Sequence, residues 1–231
     1  MSWAFSNASM LAHLLGQNAY LALVPVLAGL VVSLPLGILS VRWGWLYPPV
    51  LSVTSVLYAV PGLALFVVLI DYTGLTDLTV MIPLGIYSLA VLFPSVVEGL
   101  RSVPDPVRQA AVAMGFGTWR RLVTVELPIA TPVVIAGLRV AAVSSISLVS
   151  VGALIGIGGL GYLFTDGEQR NFTTEIVVGI VLIIVLALIT DTVLVLARRV
   201  LTPWQRTDRR ARRLASRRAA LAVTAREASQ T

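Results

Sequence analysis

Apolar residues fill long uninterrupted stretches of this chain, and polar residues gather in the segments between them. Windows of about 20 apolar residues, the length that a helix needs to cross the ~30 Å hydrocarbon core of a membrane, fall at 19–41, 50–70, 78–97, 130–155 and 175–197. The pattern predicts an all-α, polytopic membrane protein with about five transmembrane helices.

The same pattern divides the chain into three parts. Residues 1–18 are predicted to be an external or interfacial segment, and they lack the basic start of a cleavable signal peptide. Residues 19–200 form the predicted transmembrane domain, which includes the polar loop 101–128. Residues 201–231 form a basic tail.

Composition narrows the chemistry that this chain can perform. It is 57% hydrophobic and 12% charged, which is more apolar and less charged than a soluble domain. The absence of cysteine excludes disulfides, thiolate metal sites and cysteine nucleophiles, and His13 cannot form a metal cluster alone. Because the chain has no lysine, it also cannot contain the phosphate-binding loop that ends in Lys-Ser/Thr. We therefore expect no ATPase activity, no other enzyme activity and no cofactor.

Arginine sets the predicted orientation, because all 17 basic residues are arginine and basic residues collect on the cytoplasmic side of membrane proteins. With the N-terminus outside, the cytoplasm receives Arg42, the arginines of loop 101–128 and those from Arg198 onward. Apart from Arg139 within a window, only Arg170 is then left outside. The sequence predicts a cytoplasmic C-terminus.

The loop 101–128 has the features of two short helices. A helix is predicted to start at Asp105, whose side chain can accept hydrogen bonds from free backbone N–H groups, and to end at Gly115, which can take the left-handed conformation. A second helix is predicted from Thr118. Leu127 is expected to end it, because the residue before a proline disfavours the helical conformation.

A spaced motif lies in the same loop. It consists of Gln109-Ala110-Ala111-Val112-Ala113-Met114-Gly115 and, nine residues later, Val125-Glu126-Leu127-Pro128. This pattern resembles the coupling motif of binding-protein-dependent ABC importers, in which Glu replaces Gln109 and Ile replaces Val125. The resemblance implies that the loop docks on an ATPase through Gln109, Ala110, Ala111, Gly115, Phe116, Leu127 and Pro128. The alternative is an ordinary helical hairpin.

A narrower resemblance covers residues 20–200. The segments Ser33–Gly37, Tyr58–Leu65, Ala136–Arg139 and Ala153–Gly161 are similar to permeases for glycine betaine, carnitine and choline. The resemblance implies the permease fold, a multi-pass location in the bacterial cell membrane, and a second permease subunit in a homo- or heterodimer. It also implies two cytoplasmic ATP-binding subunits and an extracytoplasmic solute-binding protein.

The favoured interpretation is the permease of an ATP-driven importer of small betaine-type osmoprotectants. Two alternatives stay open from the sequence. The chain could be a permease for another small solute such as an amino acid, or a secondary transporter driven by an ion gradient, which needs an intramembrane acid such as Asp191. An intramembrane enzyme would need a nucleophile and base, and no such arrangement is present.

Helix breakers and a polar stripe mark candidate positions along a translocation path. Tyr58 and Pro61 lie at a predicted kink, and such sites often line cavities in transporters. Gly137, Ser144 and Ser147 recur at helical spacing, where the alternative role is helix packing.

The run from Gly156 to Gly161 has the spacing G-x-G-x-x-G. That spacing binds dinucleotides only at a strand-to-helix turn within a βαβ unit. Because this run follows a predicted membrane helix, we predict a flexible external turn, which could also act as a gate.

Two charged residues within the apolar windows are predicted to pair. Arg139 lies about eight residues into the fourth window and Asp191 about seven from the end of the fifth, so both are roughly 10 to 12 Å deep at ~1.5 Å per residue. A pair between adjacent helices is tolerated where a lone charge is costly. Alternatively, each side chain reaches out to the interface.

Ten arginines lie between Arg198 and Arg226, with only Asp208 and Glu227 to oppose them. Anionic lipid is the predicted partner, because each basic residue near such a surface contributes about 1 kcal/mol. Nucleic acid is the alternative partner of a basic run, and we expect none for a tail tethered to a membrane.

Overall fold

The computed structural model describes residues 2–203, apart from the side chains of Ser2 and Phe5. This part of the chain consists of helices joined by short turns and contains no strand, as the apolar windows predict. The helices are α1 (Ser2–Ser6), α2 (Ala8–Arg42), α3 (Tyr47–Ala59), α4 (Gly62–Thr73), α5 (Asp77–Arg101), α6 (Asp105–Ala113), α7 (Thr118–Arg121), α8 (Leu127–Gly152), α9 (Tyr162–Gln169) and α10 (Thr173–Leu201).

Four helical stretches of the described chain are long and apolar enough to cross a membrane. They are α2, α5, α10 and the continuous stretch Thr118–Ile155, which includes α7 and α8. The predicted boundary at residue 18 does not coincide with a helix end, because α2 runs through it. Leu11, within the predicted external segment, is already part of the buried core.

The second apolar window, 50–70, is a broken span. Helices α3 and α4 meet at an angle of 92°. Val60 between them is extended, with φ −70° and ψ 131°, because the ring of Pro61 disfavours the helical conformation in the residue before it. The total is therefore four spans, or five if the bent pair counts as one.

Small residues bring α2, α5 and α8 close together. A Cβ atom at Gly29 of α2 would lie 2.9 Å from the Cβ of Ser88 on α5, and one at Gly99 of α5 would lie 3.0 Å from the carbonyl oxygen of Ala130 on α8. Close backbone approach of this kind is how helices pack in lipid, where the hydrophobic effect between helices is absent.

The largest buried cluster lies near the glycine turn. It contains Leu21 of α2, Phe66 of α4, Leu84 of α5, Ile146 of α8 and Leu163 of α9. Phe66 is fully buried, so the cluster anchors the bent helix α4 to the long helices.

The glycine turn that follows α8 is packed against α2 and is not a loose loop. Gly156 and Gly159 have φ angles of 84° and 47°, and a Cβ at Gly159 would lie 2.8 Å from the backbone of Asn18. The Leu160 N–H donates to Asn18 Oδ1 at 3.3 Å. The expected flexibility of this turn is therefore wrong, because the buried side chain of Asn18 on α2 is hydrogen-bonded to it. Its external position stays a prediction.

Most arginines of the described chain lie at one end of the bundle. Helices α2, α5 and α10 end there, α8 starts there, and α6 and α7 cover it. We call this the arginine-rich end. Its arginines are Arg42, Arg101, Arg108, Arg120, Arg121, Arg198 and Arg199.

Candidate functional site

Helix α6 starts at Asp105 as predicted, but its side chain does not cap the helix. Pro104 occupies the N-cap position without a side-chain hydrogen bond. Asp105 Oδ1 lies 3.6 Å from Arg108 Nη1, one turn later. The predicted capping role is wrong, because the carboxylate faces the Arg108 guanidinium and not the free N–H groups.

The end of α6 has the predicted left-handed glycine. Gly115 has a φ of 79°. Its N–H donates to Val112 O at 2.9 Å, and the Phe116 N–H donates to Ala111 O at 3.0 Å. These two bonds satisfy carbonyls that the helix end would otherwise leave free.

The outer face of α6 is exposed and partly apolar. Gln109, Ala110 and Gly115 are exposed, and Met114 and Val112 keep 66% and 53% of their accessible surface. Apolar residues that project from a short helix in this way are typical of a docking surface.

The other predicted docking residues are less accessible. Ala111 is buried, with 1% of its surface exposed, and Phe116, Leu127 and Pro128 are half-buried. Ala111 therefore faces the bundle, whereas Leu127 and Pro128 belong to the start of α8.

The predicted helix stop at Leu127 is wrong. Residues Leu122–Glu126 form a π-helix that joins α7 to α8 without a break, and the Leu127 N–H donates to Leu122 O, five residues back. Pro128 falls in the first turn of α8. In the π-helix each N–H donates to the carbonyl five residues back, not four. The helix can therefore continue into α8 although Pro128 has no backbone N–H to donate.

Glu126, at the end of this π-helix, joins the coupling loop to the membrane helices. Its Oε1 atom accepts a hydrogen bond from Arg121 Nε at 2.8 Å and lies 3.8 Å from Arg108 Nε. Arg108 also donates through Nη2 to the carbonyl oxygen of Leu100 at 2.6 Å. Sequence reasoning missed this cluster. The available signal was an acid, Glu126, that follows the arginines of a basic loop within a few residues.

The candidate path residues do not lie together. Tyr58 and Ser144 line a small cavity of about 40 Å³ between α3, α5 and α8, together with Tyr87, Ser88 and Ser145. This volume is enough for roughly one or two waters. Pro61 and Ser147 are exposed outside the cavity, and Gly137 is buried against Ser95.

Two tyrosines form the aromatic side of this cavity. The rings of Tyr58 and Tyr87 meet edge to face, with centroids 5.5 Å apart. The Tyr87 hydroxyl donates to Val60 O at 2.7 Å, at the bend between α3 and α4. Tyr87 therefore holds the bend next to the exposed ring of Tyr58.

Arg139 of α8 and Asp191 of α10 contact each other through two hydrogen bonds. Arg139 Nε donates to Asp191 Oδ1 at 2.6 Å, and Nη2 donates to Oδ2 at 2.8 Å. This bidentate geometry is favourable for a guanidinium and a carboxylate. The pair joins α10, of which little is buried, to the rest of the bundle.

These features agree with a comparison against known protein families. Residues 26–207 match the family described as the binding-protein-dependent transport system inner membrane component. The chain belongs to this family. It is therefore an inner-membrane transport subunit and not an enzyme, and the system it serves includes an ATPase and a solute-binding protein.

Individual relatives support the same assignment. The chain is 34% identical to the osmoprotectant import permease protein OsmW of Salmonella typhimurium, over 87% of this chain and 96% of that protein. It is 36% identical to the glycine betaine/carnitine/choline permease OpuCD of Bacillus subtilis, over 77% of this chain and 78% of that protein.

Solved structures show the same fold. A chain of the inward-facing MetNI methionine ABC transporter superposes with a TM-score of 0.67 at 20% identity, covering 81% of this chain and 94% of that one. At this level of identity the similarity concerns the fold alone. It confirms the predicted permease fold.

Proposed function

We propose that this chain is the permease of an ATP-driven importer of small quaternary ammonium osmoprotectants such as glycine betaine, carnitine or choline. One observation carries the choice of solute. Relatives at 34%, 36% and 32% identity, aligned over 77% to 88% of this chain, are named as permeases for an osmoprotectant, for glycine betaine, carnitine and choline, and for choline.

The arginine-rich end is the cytoplasmic side in this proposal, because basic residues collect there. The N-terminus then lies outside. Two ATP-binding subunits sit below the cytoplasmic end, a second permease subunit lies beside the bundle, and a solute-binding protein delivers solute to the outer end. The basic tail lies outside the described residues, and we propose anionic lipid as its partner on its sequence alone.

Helix α6 is the proposed docking element for the ATPase. Its exposed face offers Gln109, Ala110 and Met114, and Gly115 sets the direction in which the chain leaves the helix. On the inner side, Arg108 is hydrogen-bonded to the end of α5 and lies close to Glu126. Movement of α6 when the ATPase subunits close is therefore passed to both α5 and α8.

The proposed solute path runs past the cavity that contains Tyr58 and Ser144. A quaternary ammonium group cannot donate hydrogen bonds, and it is attracted to the face of an aromatic ring. The half-exposed ring of Tyr58 offers such a face, and nearby serine hydroxyls can bind a carboxylate or hydroxyl. Gly137 is assigned to helix packing, because it lies against Ser95.

The remaining alternatives fit the structure less well. A secondary transporter needs an intramembrane acid that can exchange an ion, whereas Asp191 is already bound by Arg139. An amino-acid permease shares the fold at 20% identity, but the relatives at 34% and 36% identity are named for an osmoprotectant and for glycine betaine, carnitine and choline.

Uptake by the complete transporter tests the proposal. The permease, its ATPase and its solute-binding protein are reconstituted in liposomes and supplied with labelled glycine betaine, carnitine, choline or methionine. We expect ATP-dependent uptake of at least one quaternary ammonium solute and none of methionine. Uptake of methionine alone, or uptake driven by an ion gradient without ATP, would contradict the proposal.

A further inference from the structure

An open cleft of about 660 Å³ lies at the arginine-rich end, outside the proposed path and docking face. It is bounded by the last turns of α2 and α5, by α6 and by the α7 region. One wall is aliphatic and includes Ile38, Leu39, Val41 and Leu122.

The opposite side of the cleft carries excess positive charge. Arg42, Arg108 and Arg121 line it together with a single acid, Glu126. Glu126 is engaged by Arg121 at 2.8 Å. Arg42 is exposed at the end of α2 and has no ion pair within residues 2–203. Arg108 Nε has no hydrogen-bond acceptor, but it lies 3.8 Å from Glu126 Oε1, and Nη1 lies 3.6 Å from Asp105 Oδ1. Arg42 therefore gives the cleft its unused capacity to bind an anion.

The surroundings place the cleft at the membrane surface. Trp43 and Trp45 follow directly after α2, and Trp119 lines the cleft, with 49%, 74% and 73% of their surfaces exposed. Tryptophan is enriched at the level of the lipid headgroups. A ligand here meets aliphatic side chains on the membrane side and guanidinium groups on the aqueous side.

We propose that this cleft binds one anionic phospholipid. The phosphate lies between Arg42 and the Arg108–Arg121 pair, and the start of an acyl chain lies along Ile38, Leu39 and Val41. Basic pockets between membrane helices bind anionic headgroups in this way, and the aliphatic wall favours a lipid over a soluble anion. The inference depends neither on the solute nor on the basic tail.

A lipid-binding measurement on the complete transporter tests the site. The complex is purified, stripped of lipid and titrated with phosphatidylglycerol or phosphatidylcholine, and bound lipid is counted by native mass spectrometry. We expect Arg42→Gln to weaken phosphatidylglycerol binding about fivefold, the factor that corresponds to ~1 kcal/mol per basic residue near a lipid surface. Leu39→Gln should weaken it as well.

Arg101→Gln is the matched control. Arg101 lies at the same end of the bundle, but it stacks on the ring of Tyr47 at 4.5 Å and does not line the cleft. It should keep wild-type binding, and the full basic tail is present in every variant. Equal losses in Arg42→Gln and Arg101→Gln, or equal binding of both lipids, would overturn the proposal.

Three further measurements identify the occupant. A phosphatidylglycerol with a photoreactive acyl chain should label the peptide that contains Leu39. Displacement of the lipid by glycerol phosphate would instead indicate a site for a soluble anion. Crosslinking of Leu39→Cys to the ATPase, with no lipid labelling, would show that the cleft belongs to a protein interface. Either result rejects the lipid, whether or not osmoprotectant uptake is observed.

Discussion

Glu126 is the residue whose surroundings most directly connect the coupling loop to the membrane helices. Its side chain is largely buried, and two arginines from different helices approach the same oxygen atom. Removing one partner of such a group leaves a buried charge without compensation. The residue therefore matters both for folding of the loop and for its connection to α8.

We expect Glu126→Gln to lower both stability and coupling. The change replaces a charged hydrogen bond with a neutral one, at a cost of about 1 to 3 kcal/mol, and frees Arg121 and Arg108 to move independently. Thermal unfolding should shift downward, and solute uptake per ATP hydrolysed should fall. Glu98→Gln, an exposed acid at the same end, is the control. If both variants behaved alike, Glu126 would have no special role.

The contact between Arg139 and Asp191 leads to a double-mutant prediction. Each single change to alanine leaves an unpaired charge near the membrane interior, which is costly, so the double variant should lose less stability than the sum of the two. We expect a favourable coupling energy between the two side chains, measured by thermal unfolding in detergent. Arg170→Ala combined with Asp191→Ala should be additive. Additive losses for the contacting pair would indicate that the contact contributes nothing.

The role of the left-handed conformation at the end of α6 can be tested by substituting two glycines. Gly115→Val places a β-branched residue at a φ of 79°, which costs about 1 kcal/mol or more. We expect a folded, inserted protein that loses uptake and loses ATP hydrolysis stimulated by the solute-binding protein. Gly117 has a φ of −64° and open space around it, so Gly117→Val should stay active. Wild-type uptake by Gly115→Val would remove α6 from the coupling mechanism.

The burial pattern of α6 predicts which face meets the ATPase. Ala110 is exposed, whereas Ala111 is buried. Because the chain has no native cysteine, single cysteines can be introduced without background. A cysteine at Ala110 should crosslink to the ATPase, and one at Ala111 should crosslink weakly. The reverse result would mean that α6 rotates when the complex assembles.

The orientation of the helix bundle across the membrane can be tested by labelling cysteines from outside the cell. Tyr72, in the last turn of α4, is 85% exposed, and Met114, after α6, is 66% exposed. The two lie at opposite ends. With the proposed orientation, a membrane-impermeant maleimide should label Tyr72→Cys in intact cells that lack an outer membrane barrier, and Met114→Cys only after permeabilisation. The opposite pattern would invert the bundle and move the proposed ATPase site outside.

The sequence alone determined the features that depend on local composition and spacing. Apolar windows require helices in lipid because every backbone polar group must be satisfied within its own segment, so the fold class followed directly. The left-handed Gly115 followed from the conformational freedom of glycine. Arg139 and Asp191 lie at equal predicted depth in neighbouring apolar windows, which predicted that they pair. The structure places the two side chains in contact.

Only the tertiary structure decided features that depend on a distant neighbour. The 92° break in the second window is held by Phe66 in the core and by Tyr87 at the bend, and neither contact can be read from hydropathy. The π-helix that continues into α8 at Leu127 is also an exception to the rule that the residue before a proline disfavours the helical conformation. The partners of Glu126 come from α6 and α7, the two short helices of the loop. Local patterns define which segments are helical, but packing decides how those segments bend, join and bring charged residues together.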